Sequence, residues 1–191
     1  MNKSKFNKWL KEPKMDIETH YCEEGKYGIL GPRAVVILSG STSDKEIVAA
    51  GTEILRDLDV GFVYHSLSAH RHQKELKEFM DEILKEQKTY VVMGVAGMAA
   101  ALPGDLGGKV IEFQQTYGSD VMVPQVYGIP GNSKDSSAFN DDAAIKSIAA
   151  LPPGPAVSMF GLGATGMKNA SMAAVNLLDM MLYFAHQNVK K

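Results

Sequence analysis

The chain has 191 residues, 45% of them hydrophobic and 22% charged, which is enough for one compact core of ordinary globular type. Twenty Lys and Arg against 22 Asp and Glu leave a formal net charge of −2, so no global basic field exists to hold nucleic acid or an anionic membrane. A single cysteine, Cys22, excludes an intrachain disulfide framework and a cysteine-based zinc site, and a cytoplasmic location is the expectation that goes with it. The opening residues carry Lys3, Lys5, Lys8, Lys11 and Lys14 against Glu12 and lack the apolar centre of a signal peptide. They read as a solvated tail or an arm packed on a sister subunit, with a docking arm for an acidic partner as the alternative. No apolar run approaches the roughly 18 residues of a membrane span.

From residue 34 the pattern becomes regular. AVVIL at 34–38 is a β-branched apolar run that stops at Gly40-Ser41-Thr42-Ser43-Asp44, and this reads as a buried strand and a turn. Ile47, Val48, Gly51, Ile54, Leu55 and Leu58 then recur at helical spacing, with Ser43 or Asp44 as the N-cap. The same grammar repeats: a strand over 62–67, the loop Ser68-Ala69-His70-Arg71, and a helix whose inner stripe is Leu76, Phe79, Met80, Ile83 and Leu84. A third strand over 90–93 leads into a loop of small residues, GVAGMAAALPG at 94–104. Strands are expected over 125–129 and 156–162, separated by a helix over 137–150. A last helix over 168–186 carries Ala170, Ala173, Ala174, Leu177, Leu178 and Met181 on one face. The stretch 107–123 reads as an inserted excursion with no chemical role. Alternating strands and helices with short connections predict a doubly wound α/β fold, a central parallel sheet covered by helices on both faces.

In such sheets ligands bind outside the carboxyl ends of the strands. Three loops fall there. GSTSD offers side-chain hydroxyls and backbone N–H groups at a helix start, which suits a phosphate, although Ser and Asp also serve as plain helix caps. Ser68-Ala69-His70-Arg71 places an imidazole and a guanidinium at a strand-to-helix corner where packing needs neither. His70 can move a proton near neutral pH, and Arg71 can hold a phosphate or carboxylate; a solvated surface pair is the bland alternative. The third loop brings backbone close to whatever binds and has almost no side-chain chemistry, so it is either a pocket wall or tight helix–sheet packing. His72 is expected on the first helical turn facing water, and His65 inside the second strand. With His20 and His186 near the ends, no three-histidine metal site is supported by spacing.

GSTSD, SAHR, the Ala-Gly-rich loop ending in LPG, GIP at 128–130, LPPGPAV at 151–157 and KNA at 168–170 occur in the order found in the PurE family, and the chain resembles it over about 34–178. The resemblance implies a single flavodoxin-like three-layer domain over 34–191, preceded by an N-terminal extension over 1–33 and ending in an oligomerisation helix. It further implies a cofactor-free enzyme of purine biosynthesis that moves a carboxylate from the exocyclic nitrogen of an aminoimidazole ribonucleotide to ring carbon C4, through carbon dioxide held in the site. By that likeness Ser41, Ser43, Asp44 and Arg71 hold the ribose phosphate end, while Ser68 and Ala69 line the site. His70 is the general acid and base, protonating the ring carbon and later removing the C4 proton. Backbone N–H groups from Ala96 and Gly97 to Leu102 cradle carbon dioxide. The implied assembly is a homo-octamer.

Several positions depart from the family pattern. Ala101 stands where the mutases have a second histidine, AGMAA at 96–100 lacks the polar groups of the direct carboxylases, and His72-Gln73 replaces Thr-Pro. Direct carboxylation by carbon dioxide, a diverged nucleotide carboxylase akin to LarB, whose loop VAGMAAALP resembles, and a non-catalytic nucleotide-binding paralogue stay open as alternatives.

Overall fold

The computed structural model describes residues 17–20, 26–31, 33–131 and 138–189. The lysine-rich opening, Cys22 and the first residue of the helix expected from 137 lie outside the described residues.

Runs of β-branched residues without polar alternation suit strands covered on both faces. Three of them become β2 (Val35–Ser39), β3 (Phe62–Ser66) and β4 (Val91–Ala96), buried along their length except at His65. With β1 (Ile17–His20), β5 (Gln125–Pro130) and β6 (Val157–Met159) they form one sheet in the order β1-β3-β2-β4-β5-β6. All neighbours are parallel except β1, which pairs antiparallel with β3. Without β1, the order is that of a flavodoxin-like doubly wound sheet, whose ligand crevice opens at the switch point between β2 and β4.

The helices are α1 (Lys45–Asp57), α2 (Gln73–Glu86), α3 (Ala101–Tyr117), α4 (Ala138–Ala149) and α5 (Gly163–Val189). Successive strand residues point to opposite faces, so β2 serves two cores. Val35 and Ile37 join Val48 and Leu55 of α1 and Met167, Ala170, Ala174 and Leu178 of α5. Val36 and Leu38 join Leu76 and Met80 of α2, Leu106 and Val110 of α3, and Ile148 of α4. The expected three-layer architecture is therefore the observed one.

Some boundaries moved. The stretch 107–123 is not an insert: α3 is the crossover that the parallel pair β4 and β5 requires, and only 118–124 connects it to β5. Pro103, Gly104, Gly107 and Gly108 obscure its apolar periodicity. Pro103 sits in the first turn, where its missing N–H costs little, and a Cβ on Gly107 would lie 2.9 Å from Cβ of Pro155. The third strand runs on to Ala96, so the loop expected over 94–104 shrinks to 97–100. β6 has three residues rather than seven, and α5 starts at Gly163 rather than 168.

Residues before 34 contribute to this scaffold. In β1, Glu18 pairs with Arg56, whose guanidinium lies 5.4 Å from the Phe62 ring centroid, and His20 stacks on that ring at 5.6 Å. Farther on, the Tyr27 hydroxyl donates to Asp179 of α5, and Lys26 Nζ stands 2.6 Å from the same carboxylate. Those two hydrogen bonds, Lys26 first, hold the Asp179 carboxyl below the usual carboxylate range.

Candidate active site at the carboxyl edge of the sheet

Register brings the carboxyl ends of four strands to one edge: Ser39 of β2 lies opposite Ser66 of β3 and Val95 of β4, and Ala96 lies opposite Pro130 of β5. Backbone bonds continue the alignment past the strands. Leu67 N–H donates to Ser39 O at 2.9 Å, Gly40 N–H to Val95 O at 2.9 Å, and Gly131 N–H to Ala96 O at 2.8 Å. The loop after β2 thus lies between the loops after β3 and β4. Adjacent strands are about 4.8 Å apart, so the outer two loops frame a crevice roughly 10 Å wide at the backbone.

The central loop is a small hydroxyl cluster. Ser43 N–H donates to Ser41 Oγ at 3.2 Å, and Ser43 Oγ donates to the same oxygen at 2.9 Å. Ser41, rather than Ser43 or Asp44, is therefore the side-chain cap, because a 3-10 turn over Thr42–Asp44 precedes α1 and moves the cap position back. Asp44 is buried at the start of α1. Beneath the loop, the fully buried Ser39 hydroxyl donates to Ser41 O at 3.0 Å and shares a 3.0 Å hydrogen bond with Tyr64 Oη. The sequence reading passed over this pair, since a Ser at the end of one apolar run and a Tyr inside another carry no joint signal until the strands are aligned.

In the loop after β3, Ala69 packs into the core beside α2, Ser68 is buried, and His70 and Arg71 are exposed toward the crevice edge. Arg71 Nη2 donates to Gly40 O at 3.3 Å, which joins this loop to the hydroxyl cluster. His70 N–H donates to Ser68 Oγ at 3.3 Å. The expectation that His72 faces water is corrected: it occupies the N-cap position of α2, half-buried, and its Nδ1 accepts from Ser68 N–H at 3.0 Å. An imidazole beside a turn finds a backbone donor in preference to solvent. His65 lies in β3 as expected, edge-on to Phe79, and burial pushes its imidazole below the usual histidine range.

The loop after β4 differs in kind. Ala96 ends the strand, Gly97 is half-buried, and Leu102 sits in the core with its side chain turned from the crevice. Met98 adopts a left-handed conformation, φ +55°, and is 67% exposed. The first turn of α3 follows with no side-chain cap and no acidic residue, so its positive end is presented without a competing side chain. Gly131 packs behind: a Cβ there would come within 3.2 Å of Gly97 N.

Ser41, Ser43, Asp44, Ser68, Ala69, His70, Arg71, Ala96, Gly97 and Leu102 therefore all lie at the same edge, with the side chains of Ala69 and Leu102 buried in the core. A second glycine-rich turn, Gly161-Leu162-Gly163-Ala164-Thr165-Gly166, has the spacing of a dinucleotide loop but a packing cause. A Cβ on Gly166 would fall 2.1 Å from the Gly161 carbonyl oxygen. Among the described residues no group of three or more His, Cys, Asp or Glu is placed to hold a metal ion, and no helix is long and apolar enough to cross a membrane.

The family model for AIR carboxylase matches residues 34–191. The chain is 31% identical over 162 residues to N5-carboxyaminoimidazole ribonucleotide mutase of Pyrococcus abyssi, covering 85% of this chain and 83% of that protein. It is 33% identical over 145 residues to the mutase of the same name from Bacillus subtilis, covering 76% and 80%. In fold it is similar to the crystal structure of Treponema denticola PurE, with a TM-score of 0.57 over 81% of this chain and 92% of that one, at 18% identity.

Proposed function

This chain belongs to the AIR carboxylase (PurE) family, and from that premise we propose that it is a purine-biosynthetic enzyme interconverting N5-carboxyaminoimidazole ribonucleotide and 4-carboxy-5-aminoimidazole ribonucleotide. The observation that carries the reading is the convergence of an exposed imidazole, a guanidinium and a hydroxyl-lined helix start on one strand edge, joined by the bond from Arg71 to Gly40. The hydroxyls of Ser41 and Ser43 and the guanidinium of Arg71 hold the ribose phosphate, and Asp44 takes the ribose hydroxyls. Ser68 and Ala69 wall the base. His70 gives a proton to the nucleotide as the N-carboxylate leaves as carbon dioxide, and takes the C4 proton once the new C–C bond has formed, so the net proton count is zero. Backbone N–H groups between Ala96 and Leu102 hold carbon dioxide between the two steps, the uncapped end of α3 favouring the carboxylate that forms. No cofactor is needed for this sequence of bond changes.

We infer further that the enzyme works in the cytoplasm as a homo-oligomer, an octamer by family likeness. What supports assembly is the outer face of α5, where Met172, Met180, Tyr183 and Phe184 are exposed while Ala170, Ala174 and Leu178 on the inner face are buried. Sedimentation of the native chain checks it.

A spectroscopic assay tests the reaction, with N5-carboxyaminoimidazole ribonucleotide in one arm and aminoimidazole ribonucleotide plus bicarbonate in the other, each beside His70→Asn. Rapid conversion in the first arm, lost by about 10²- to 10⁴-fold in the variant with binding retained, is the expected outcome. Conversion in the second arm alone makes the chain a direct carboxylase. No turnover above the His70→Asn background in either arm ends the purine assignment in favour of a nucleotide-binding role.

A further inference from the structure

His70 is the middle residue of a five-residue loop whose base is closed twice by the same pair. His72 N–H donates to Ser68 O at 2.9 Å, and Ser68 N–H donates to His72 Nδ1 at 3.0 Å. Arg71 N–H adds a bond to Ser68 O at 3.2 Å, and Leu76 N–H anchors His72 O at 2.8 Å in the first turn of α2. Ser68 itself is fixed by its burial and by the preceding bond from Leu67 to Ser39. The loop is therefore tied to β3 at one end, to α2 at the other, and across its base by an imidazole. His70 and Arg71 project from the part that remains.

We propose that His72 is a positioning residue for the reaction: its Nδ1 lone pair clasps Ser68 N–H and so fixes where the His70 imidazole meets the nucleotide. The inference deepens the reading given above and rests on His70 being the acid and base. The clasp demands one chemical form. A ring nitrogen that accepts cannot carry a proton, so His72 is neutral with its proton on Nε2. The clasp acts on His70 more than on Arg71, because Arg71 has a separate anchor in Gly40 O, 31 residues away in sequence, whereas His70 is held only by Ser68 Oγ among the described contacts. Loss of the acceptor thus loosens the chemistry before it loosens binding.

The substitutions that separate this from a plain helix-cap role differ in where they put an acceptor. Asn carries Oδ1 at the same distance from Cβ as Nδ1 of His, Gln carries its oxygen one bond farther out, and Ala has none. His72→Ala and His72→Gln are expected to lower kcat by about 10- to 100-fold with KM changed less than about threefold, and His72→Asn to stay within about threefold of the parent in both. Imidazole ¹⁵N shifts of the unmodified chain are expected to show an acceptor-type Nδ1 and a protonated Nε2 at His72. Equal activity of all three variants, or a proton on Nδ1, overturns the clasp. The nitrogen shifts do not depend on the substrate, so an inactive chain with the expected tautomer sinks the purine reading and spares the clasp, while an active one with the opposite tautomer does the reverse.

Discussion

The two loops flanking the hydroxyl cluster are opposites. The one after β3 holds polar groups in a small, cross-tied turn, with imidazole and guanidinium standing out from a base of four hydrogen bonds made by Ser68. The one after β4 is Gly97 to Ala100, with no ionisable side chain, one residue in a left-handed conformation and an uncapped helix directly behind it. Ionisable side chains are thus concentrated on one wall of the crevice, and the other wall supplies backbone and a helix end. The proposed reaction, with a polar nucleotide and a small apolar gas, calls for this division, since side chains that solvate charge would also admit water to the gas.

The division is broken most directly at Arg71. Arg71→Ala removes the tie to Gly40 and, on the reading proposed above, a charge-assisted contact to the substrate phosphate, while leaving the His72–Ser68 bonds in place. KM should rise by about 10- to 100-fold, which corresponds to roughly 1.5–3 kcal/mol for a hydrogen bond to a charged group, with kcat much less affected. Titration of the variant with nucleotide, in parallel with its steady-state kinetics, measures both. An effect confined to kcat moves Arg71 from the phosphate to the reacting end.

The opposite wall answers to volume rather than charge. Gly131 backs the third loop so closely that a side chain must push Gly97 aside, and the atoms it meets are backbone. Gly131→Val should cost about 1–3 kcal/mol of stability by overpacking. In the surviving folded fraction, capture of carbon dioxide should suffer more than nucleotide affinity. Chemical denaturation reads the first and partition between released and recaptured labelled carbon dioxide the second.

How much of this was written in the sequence follows the same division. The β-branched runs at 34–38 and 62–67 and the helical stripes of α1 and α2 announced their elements, because burial on two faces and on one stripe impose different spacings on apolar residues. His70 and Arg71 were legible since a strand-to-helix corner has no packing use for them. The opposite wall was not. Its helix hides behind Pro103, Gly104, Gly107 and Gly108, of which Gly104 and Gly107 serve close approach to Leu151 and Pro155, neighbours far along the chain. The clasp of His72 was equally hidden, for it depends on the turn closing on Ser68, and the hydroxyl pair of Ser39 and Tyr64 depends on register between two strands. What packing between distant segments decides, local pattern does not carry.

The smallest expected effect sharpens the contrast by pH. His65 lies in β3, in the strand that leads into the polar loop, and burial lowers its imidazole relative to the unfolded chain. The fold therefore keeps a neutral His65 where the unfolded chain, with an ordinary histidine near 6.5, already takes a proton. Its contribution to stability is complete above about pH 6.5 and is lost as pH falls toward the lowered value, by less than about 1.4 kcal/mol for each pH unit. His65→Phe keeps a ring against Phe79 and removes the titration, so the stability of the parent minus that of the variant should decline on acidification and stay level above neutrality. Hydrogen exchange localises the loss: amides of Ser68 to His72, which follow the strand that carries His65, should lose protection on acidification before those of Gly97 to Ala100, which follow another strand. Equal loosening of both loops would mean that acid acts on the sheet as a whole, and the two walls would then not be separable in energy.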